Sequence, residues 1–190
     1  MSWLEEFRRW HDMARAAGIA EPEAMVLATA DAQGRPSART VLLRGLDERG
    51  FVFFTNYESR KGTELAANPH AALVFGWYAI QRQVTVAGTV RRVSAQESDA
   101  YWETRARGSR LASAASPQSR VIADRAELDL LVAELDRRHP GEDVPRPEHW
   151  GGFRLEPTRV ELWRGREHRM HDRIRHTRAD GGWVIERLAP

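Results

Sequence analysis

Residues 25–56 read MVLATADAQGRPSARTVLLRGLDERGFVFFTN. Three β-rich runs, MVLATA, ARTVLLRGL and FVFFTN, are divided by AQGRPS and DERG, short stretches of turn-forming residues. That is the pattern of an antiparallel meander. Downstream, residues 59–68 predict a short helix that ends at Asn68-Pro69, because the residue before a proline is pushed out of the helical region. Two more strands follow, HAALVFGWYAI and QRQVTVAGTVRRV. Residues 95–106 and 125–138 predict helices joined by a Ser/Ala-rich linker, GSRLASAASPQSR. After the loop PGEDVPRPEHW the chain closes in strands: GGFRLEP, TRVELWRG, HRMHDRIRHTR and WVIERLAP. Upstream, Trp3, Leu4, Phe7, Trp10 and Met13 recur at spacings of three and four, which predicts an amphipathic helix over 2–17 stopped by Gly18. Strands first, helices inserted, strands again: the order predicts a mainly β domain with α, a β-barrel with peripheral helices, spanning residues 1–190 as one unit.

Composition narrows the chemistry. The chain has 190 residues, 42% hydrophobic and 29% charged, with a formal net charge of +2. That is ordinary for a globular protein and too small a charge to imply nucleic acid. No basic patch interleaved with aromatics supports such a partner either. Without cysteine there are no disulfides, thiolate metal sites or cysteine nucleophiles, so redox chemistry would need a bound organic cofactor. The first residues mix acidic and basic groups into an apolar pattern, unlike the core of a signal peptide, and no apolar run approaches a membrane span. These features predict a cytoplasmic protein. Of the 29 basic residues, 28 are Arg, and Lys61 is the single Lys.

Several segments could carry chemistry. In TNYESRKGTEL, Ser59, Arg60 and Lys61 open a helix after a strand, where free N–H groups, the helix dipole and two cations suit a phosphate. An ordinary capped helix with a solvated basic turn has the same pattern. Alternation in ARTVLLRGL puts Arg39, Val41 and Leu43 on one face and Thr40, Leu42 and Arg44 on the other, with charge at both strand ends. Gln83 opens a strand and could offer donor and acceptor to a planar heterocycle. Tyr101 and Arg105 are four apart on a predicted helix, with Ser109 just beyond its end. They form either a phosphate clamp or a tyrosine stacked on an arginine. Gln118 and Ser119 add polar groups after Pro117. In HRMHDR, read as a strand, His168 and His171 point apart, which argues against a metal site. Arg169, His171 and Arg173 would share a face, with Trp163 on the preceding strand near the same surface.

The runs RTVLLRG, FTNYESRKGTEL, WYAIQRQVTVAGTV, ASPQSRVI, PRPEHWGGFRL, VELWRG, EHRMHDR and WVIERLAP closely resemble the pyridoxamine 5′-phosphate oxidases, in order from about Met25 to Pro190. The resemblance implies an FMN-binding split β-barrel that forms a homodimer with FMN at the interface. It implies that Arg39, Thr40, Val41, Leu42, Leu43 and Arg44 line the flavin, followed by Phe54 and Thr55. Arg60 and Lys61 would bind the flavin phosphate and Gln83 the ring system, with Gln118, Ser119, Trp163 and Arg173 completing the cofactor site. Arg44, Tyr101, Arg105 and Ser109 would hold a substrate phosphate, and Arg169 and His171 would lie against the pyridine ring as the catalytic pair. The implied reaction oxidises a phosphorylated B6 vitamer, pyridoxamine or pyridoxine 5′-phosphate, with O2 and releases H2O2. Competing readings are a related flavin oxidase acting on another planar anion, such as a phenazine precursor, and a non-catalytic flavin-binding module. The chain departs from the family pattern at Arg44, where Lys is usual, and at Phe54, where Tyr is common. About two dozen residues precede Met25, too few for the Arg-x-Tyr lid that often lies there.

Overall fold

The computed structural model describes residues 2–141 and 143–190. The chain runs α1 (Trp3–Ala16), β1 (Ala24–Ala30), β2 (Pro36–Leu42), β3 (Gly45–Asp47), β4 (Gly50–Asn56), α2 (Arg60–Ala67), β5 (His70–Trp77) and β6 (Arg82–Arg92). It continues through α3 (Ala95–Glu103), α4 (Arg107–Ala115), α5 (Arg125–Arg138), β7 (Trp150–Arg164), β8 (Asp172–Ala179) and β9 (Gly182–Leu188). All strand pairings are antiparallel, in the order β2-β1-β5-β6-β7-β4-β3, with β8 added to β7 and β9 to β8. The sheet curls around α1 as a split barrel.

Strand β7 organises this sheet. It has fifteen residues and pairs with β6 over residues 153–164 along one edge, while the other edge pairs with β4 over residues 150–155 and with β8 over 159–164. Sequence reading splits this segment into two strands at Pro157; the structure makes it continuous. Proline lacks an N–H and is tolerated where the ladder is already irregular. Here the β6 register shifts between Ala87 and Gly88, opposite Pro157 and Arg159, and the extra residue Thr158 donates its hydroxyl to the Ala87 carbonyl. Gly88 is required at this bulge, since a Cβ would sit 2.1 Å from the Glu156 carbonyl oxygen.

The apolar face of α1 fills the curl. Phe7 is fully buried, with ring centroids 4.8 Å from Phe75 and 5.2 Å from Phe51 in edge-on contact. A capping box from Ser2 and Glu5 starts this helix, and it gives way before Gly18, whose φ of +74° favours glycine. A second, smaller cluster (Trp102, Leu111, Val144, Trp150) holds α3 and α4 to the start of β7. It explains one correction. The stretch taken as a linker contains α4, because its alanines favour helix and Leu111 anchors it in that cluster. Correspondingly α3 ends at Glu103, so Arg105 lies between two helices rather than on one. A further correction concerns HRMHDR. Glu167–Arg169 is a 3₁₀ turn with His168 and Arg169 at φ of 54° and 61°, and strand pairing begins only at Asp172, so the alternation assumed for 168–171 does not apply. Among the described residues, no helix is long and apolar enough to cross a membrane, and no three His, Asp or Glu side chains are grouped to hold a metal ion.

Helix α2 is tied to β1 and β2 by a buried carboxylate. Glu64 accepts hydrogen bonds from Thr29, Ser37 (2.6 Å), Arg39 (3.1 Å) and Arg60 (2.9 Å). Burial alone would raise its pKa. The hydrogen bonds outweigh burial and hold it down to about 2, against an ordinary 4.5. A carboxylate with a depressed folded-state pKa stabilises the fold above its unfolded value and loses that contribution as pH falls toward the folded one. Glu64→Gln should therefore cost roughly 3 kcal/mol at neutral pH. In urea unfolding followed across pH, the wild-type decline between pH 4.5 and 2 should be shallower in the variant.

Candidate active site

A cavity of about 670 Å³ opens where the end of β2, the middle of β4, the first turn of α2 and the α3–α4 connection converge. Arg39, Thr40, Val41, Leu42 and Arg44 form one wall, and Phe54 and Thr55 another. Lys61, Gln118, Tyr101, Arg105 and Ser109 complete it. The strand stops at Leu42 and Arg44 donates its N–H to Val52, so both faces of the ARTVLLR segment reach the cavity. Leu43 instead turns into the core.

Local sequence sets the first turn of α2. Ser59 caps the helix through its Oγ, and Gly62 lets that turn approach β4 closely, since a Cβ there would lie 2.1 Å from the Tyr57 carbonyl oxygen. Lys61 Nζ then donates to Thr55 Oγ1 (3.1 Å), Ser59 Oγ (3.2 Å) and Gln118 Oε1 (2.9 Å), all uncharged partners. Burial lowers the Lys61 ammonium to about 8, Arg39 pushes the same way, and Glu64 opposes both. Glu64 has already engaged Arg39 and Arg60, so Arg60 points to that carboxylate and is not on the cavity wall. Ser119, with φ of +73°, forms the turn just after Gln118. A desolvated ammonium with neutral partners at a helix N-terminus fits a phosphate group.

At the other side of the cavity Arg105 is likewise without a carboxylate among the described residues. Burial lowers its pKa, Tyr101 opposes this and Arg44 adds to it. Its Nη1 is buried with no hydrogen-bond partner. The cavity thus presents positive charge at two places, Lys61 at one and Arg105 with Arg44 at the other. Phe54, lacking the hydroxyl of a tyrosine, stacks on Tyr101 at 4.0 Å and on Trp150 at 5.5 Å, giving the wall a planar aromatic surface. Trp150, Thr104, Ala106 and Ser113 also line the cavity and were not singled out from sequence. Trp150 ends the loop PGEDVPRPEHW, and Ser113 lies in the Ser/Ala-rich stretch 108–120; neither residue carries a binding pattern of its own.

The remaining candidates form a second group. Gln83 of β6 pairs with Trp163 of β7, which pairs with Arg173 of β8. His171 packs against Trp163 at 4.7 Å, and its Nδ1 accepts the Arg166 N–H. Arg173 is paired with Glu161 at 2.7 Å, and Arg169 sits in the 3₁₀ turn. Thr55 lies opposite Gly151 at the start of β7, whereas Trp163 is twelve residues further along. At about 3.3 Å per residue, that is roughly 40 Å of strand. The chain therefore holds two half-sites at opposite ends of β7.

Comparison with known proteins accounts for this division. Residues 12–139 match the family model described as pyridoxamine 5′-phosphate oxidase, and residues 150–190 match its C-terminal dimerisation region. The second half-site of β7 and β8 falls in that dimerisation region, which supports a homodimer. The chain is 58% identical over 186 residues to the pyridoxine/pyridoxamine 5′-phosphate oxidase of Pseudomonas paraeruginosa, covering 97% of this chain and 86% of that one. It is 58% identical over 188 residues to pyridoxine/pyridoxamine 5′-phosphate oxidase 1 of Ralstonia nicotianae, covering 98% and 88%. Among solved structures, PhzG from Burkholderia lata in complex with tetrahydrophenazine-1-carboxylic acid superposes with a TM-score of 0.93 at 34% identity, covering 98% of this chain and 91% of that one. A pyridoxamine 5′-phosphate oxidase-related FMN binding protein from Nostoc punctiforme shares the fold at 19% identity, with a TM-score of 0.80 and coverage of 100% and 99%. With both family regions matched in order and relatives this similar along nearly the whole chain, the protein belongs to the pyridoxamine 5′-phosphate oxidase family.

Proposed function

We propose that this chain is an FMN-dependent oxidase that converts pyridoxine or pyridoxamine 5′-phosphate to pyridoxal 5′-phosphate. Dioxygen is reduced to hydrogen peroxide, and the amine substrate, with water, also releases ammonia. The observation that carries this reading is the pair of cationic places in one cavity, Lys61 at one and Arg105 with Arg44 at the other, without carboxylate partners among the described residues, in a chain of this family. Two small phosphates, of cofactor and of substrate, match that pair. A cytoplasmic setting belongs to the same reading, since a cysteine-free chain needs no oxidising compartment.

FMN, when bound, would supply the redox chemistry, as hydride acceptor for C4′ of the substrate and electron donor to dioxygen. The protein supplies binding and orientation. Lys61, with Thr55 and Gln118 around its ammonium, holds the cofactor phosphate. Arg105 holds the substrate phosphate with Arg44, Tyr101 and Ser109, and anchoring that end positions C4′. Two copies of the chain complete the site, the cavity from one and the half-site around Trp163 from the other. In that arrangement Gln83, Trp163 and Arg173 would help hold the flavin, and Arg169 and His171 would lie against the pyridine ring. Because the His171 Nδ1 accepts a backbone N–H, the neutral ring carries its proton on Nε2 and donates from there, orienting a substrate oxygen.

The direct test loads the purified protein with FMN and follows aldehyde and peroxide with the phosphorylated vitamers against unphosphorylated controls. Oxidation that requires the phosphate is expected. Flavin binding without reduction by either vitamer would instead favour a related oxidase acting on planar acids, in line with the likeness to PhzG. Lys61→Met should weaken FMN binding about 10- to 100-fold, the weight of a charge-assisted hydrogen bond, while leaving thermal unfolding of the FMN-free protein unchanged or improved. Wild-type affinity should fall as pH rises past about 8, where the ammonium of the empty site loses its proton, and the variant should lack this dependence. Arg169→Leu should keep FMN affinity but lower kcat; full turnover at saturating substrate would remove Arg169 from the reaction.

A further inference from the structure

Arg105 is held on three sides. Its Nη2 donates to Ser113 Oγ at 2.8 Å and to the Ser109 carbonyl at 3.2 Å. Its guanidinium lies over the Trp150 ring, Cζ 4.7 Å from the centroid, and 5.3 Å from that of Trp102. Ser113 stands one turn after Ser109 on α4, and so presents its hydroxyl on the same helix face. Trp150 is itself fixed, edge-on to Trp102 at 4.6 Å and stacked on Phe54. These contacts use one nitrogen and one face of the guanidinium and leave the buried Nη1 unpaired.

A buried donor without a partner is costly, and an anion placed at Nη1 removes that cost. A free arginine would lose several rotamers on binding, whereas this one has lost them beforehand. We propose that Ser113 and Trp150 are positioning residues for the substrate phosphate. They hold the Arg105 plane so that its unpaired Nη1 is left for the phosphate, and through Arg105 they set the preference for phosphorylated over unphosphorylated substrate. This rests on the function proposed above.

The test uses the FMN-loaded enzyme and compares Ser113→Ala with Ser113→Thr. Alanine favours helix, so α4 is not weakened by the first change. Loss of a hydrogen bond to a charged group should raise KM for pyridoxine 5′-phosphate about tenfold, with the effect on KM rather than kcat. The dissociation constant of pyridoxal 5′-phosphate, titrated at equilibrium, should rise in parallel, FMN affinity should hold, and Ser113→Thr should restore both constants. Trp150→Leu should raise KM similarly, and Trp150→Phe, which keeps an aromatic face, should raise it less. A wild-type KM in Ser113→Ala, or a rise that threonine does not rescue, overturns the proposal. Arg105→Met separates the two levels. If it raises KM far more than tenfold while Ser113→Ala does nothing, the positioning role alone fails. If it too leaves KM and product affinity unchanged, the assignment of the substrate phosphate to this cavity fails, and the proposal with it.

Discussion

A strand edge can satisfy each of its backbone groups once, and β7 has two claimants for one edge. Strands β4 and β8 resolve this by taking successive halves, while β6 pairs along most of the other edge. The bulge at Thr158 and the placement of Pro157, which has no N–H to offer, sit where one partner gives way to the next. The half-sites follow from that division. What lies near β4 is built around the α2 turn and the aromatic wall; what lies near β8 is built around Trp163. An extended strand keeps the two groups far apart within one chain.

Electrostatics within the first half-site follow from one buried carboxylate. Glu64 draws Arg39 and Arg60 into an ion-paired network with Thr29 and Ser37, which fastens α2 to the sheet. Lys61, one residue from Arg60, has its ammonium among hydroxyls and an amide instead. Adjacent cations therefore do different work: one is a structural ion pair, the other a charge available to a ligand. Arg105 is kept available by a different means, with an indole face and a hydroxyl in place of a carboxylate.

Much of this was legible in the sequence because it rests on local rules. The meander of residues 25–56 declared itself through alternation and turn residues, α1 through its apolar spacing, and α2 through Ser59 and the break at Asn68-Pro69. Arg39, Lys61, Tyr101, Arg105 and Ser109, each singled out from its own stretch of sequence, line one cavity. Where local rules compete with packing, reading fell short. The α4 segment looks like a polar linker until Leu111 has a cluster to enter. Pro157 looks like a strand end until the ladder around it is seen to be irregular. The turn at His168 and Arg169 needs left-handed backbone that residue type does not announce.

By itself, then, the sequence determined the class of fold, the family and most of the groups that line the candidate cavity, because hydrophobic period, turn chemistry and motif are carried by near neighbours along the chain. Only the tertiary structure decided which cations remain unpaired, that Ser113 and Trp150 stand behind Arg105, and that the candidate residues fall into two separate half-sites. Those outcomes depend on which distant groups compete for the same hydrogen bonds and the same space, and no spacing along the chain encodes that competition.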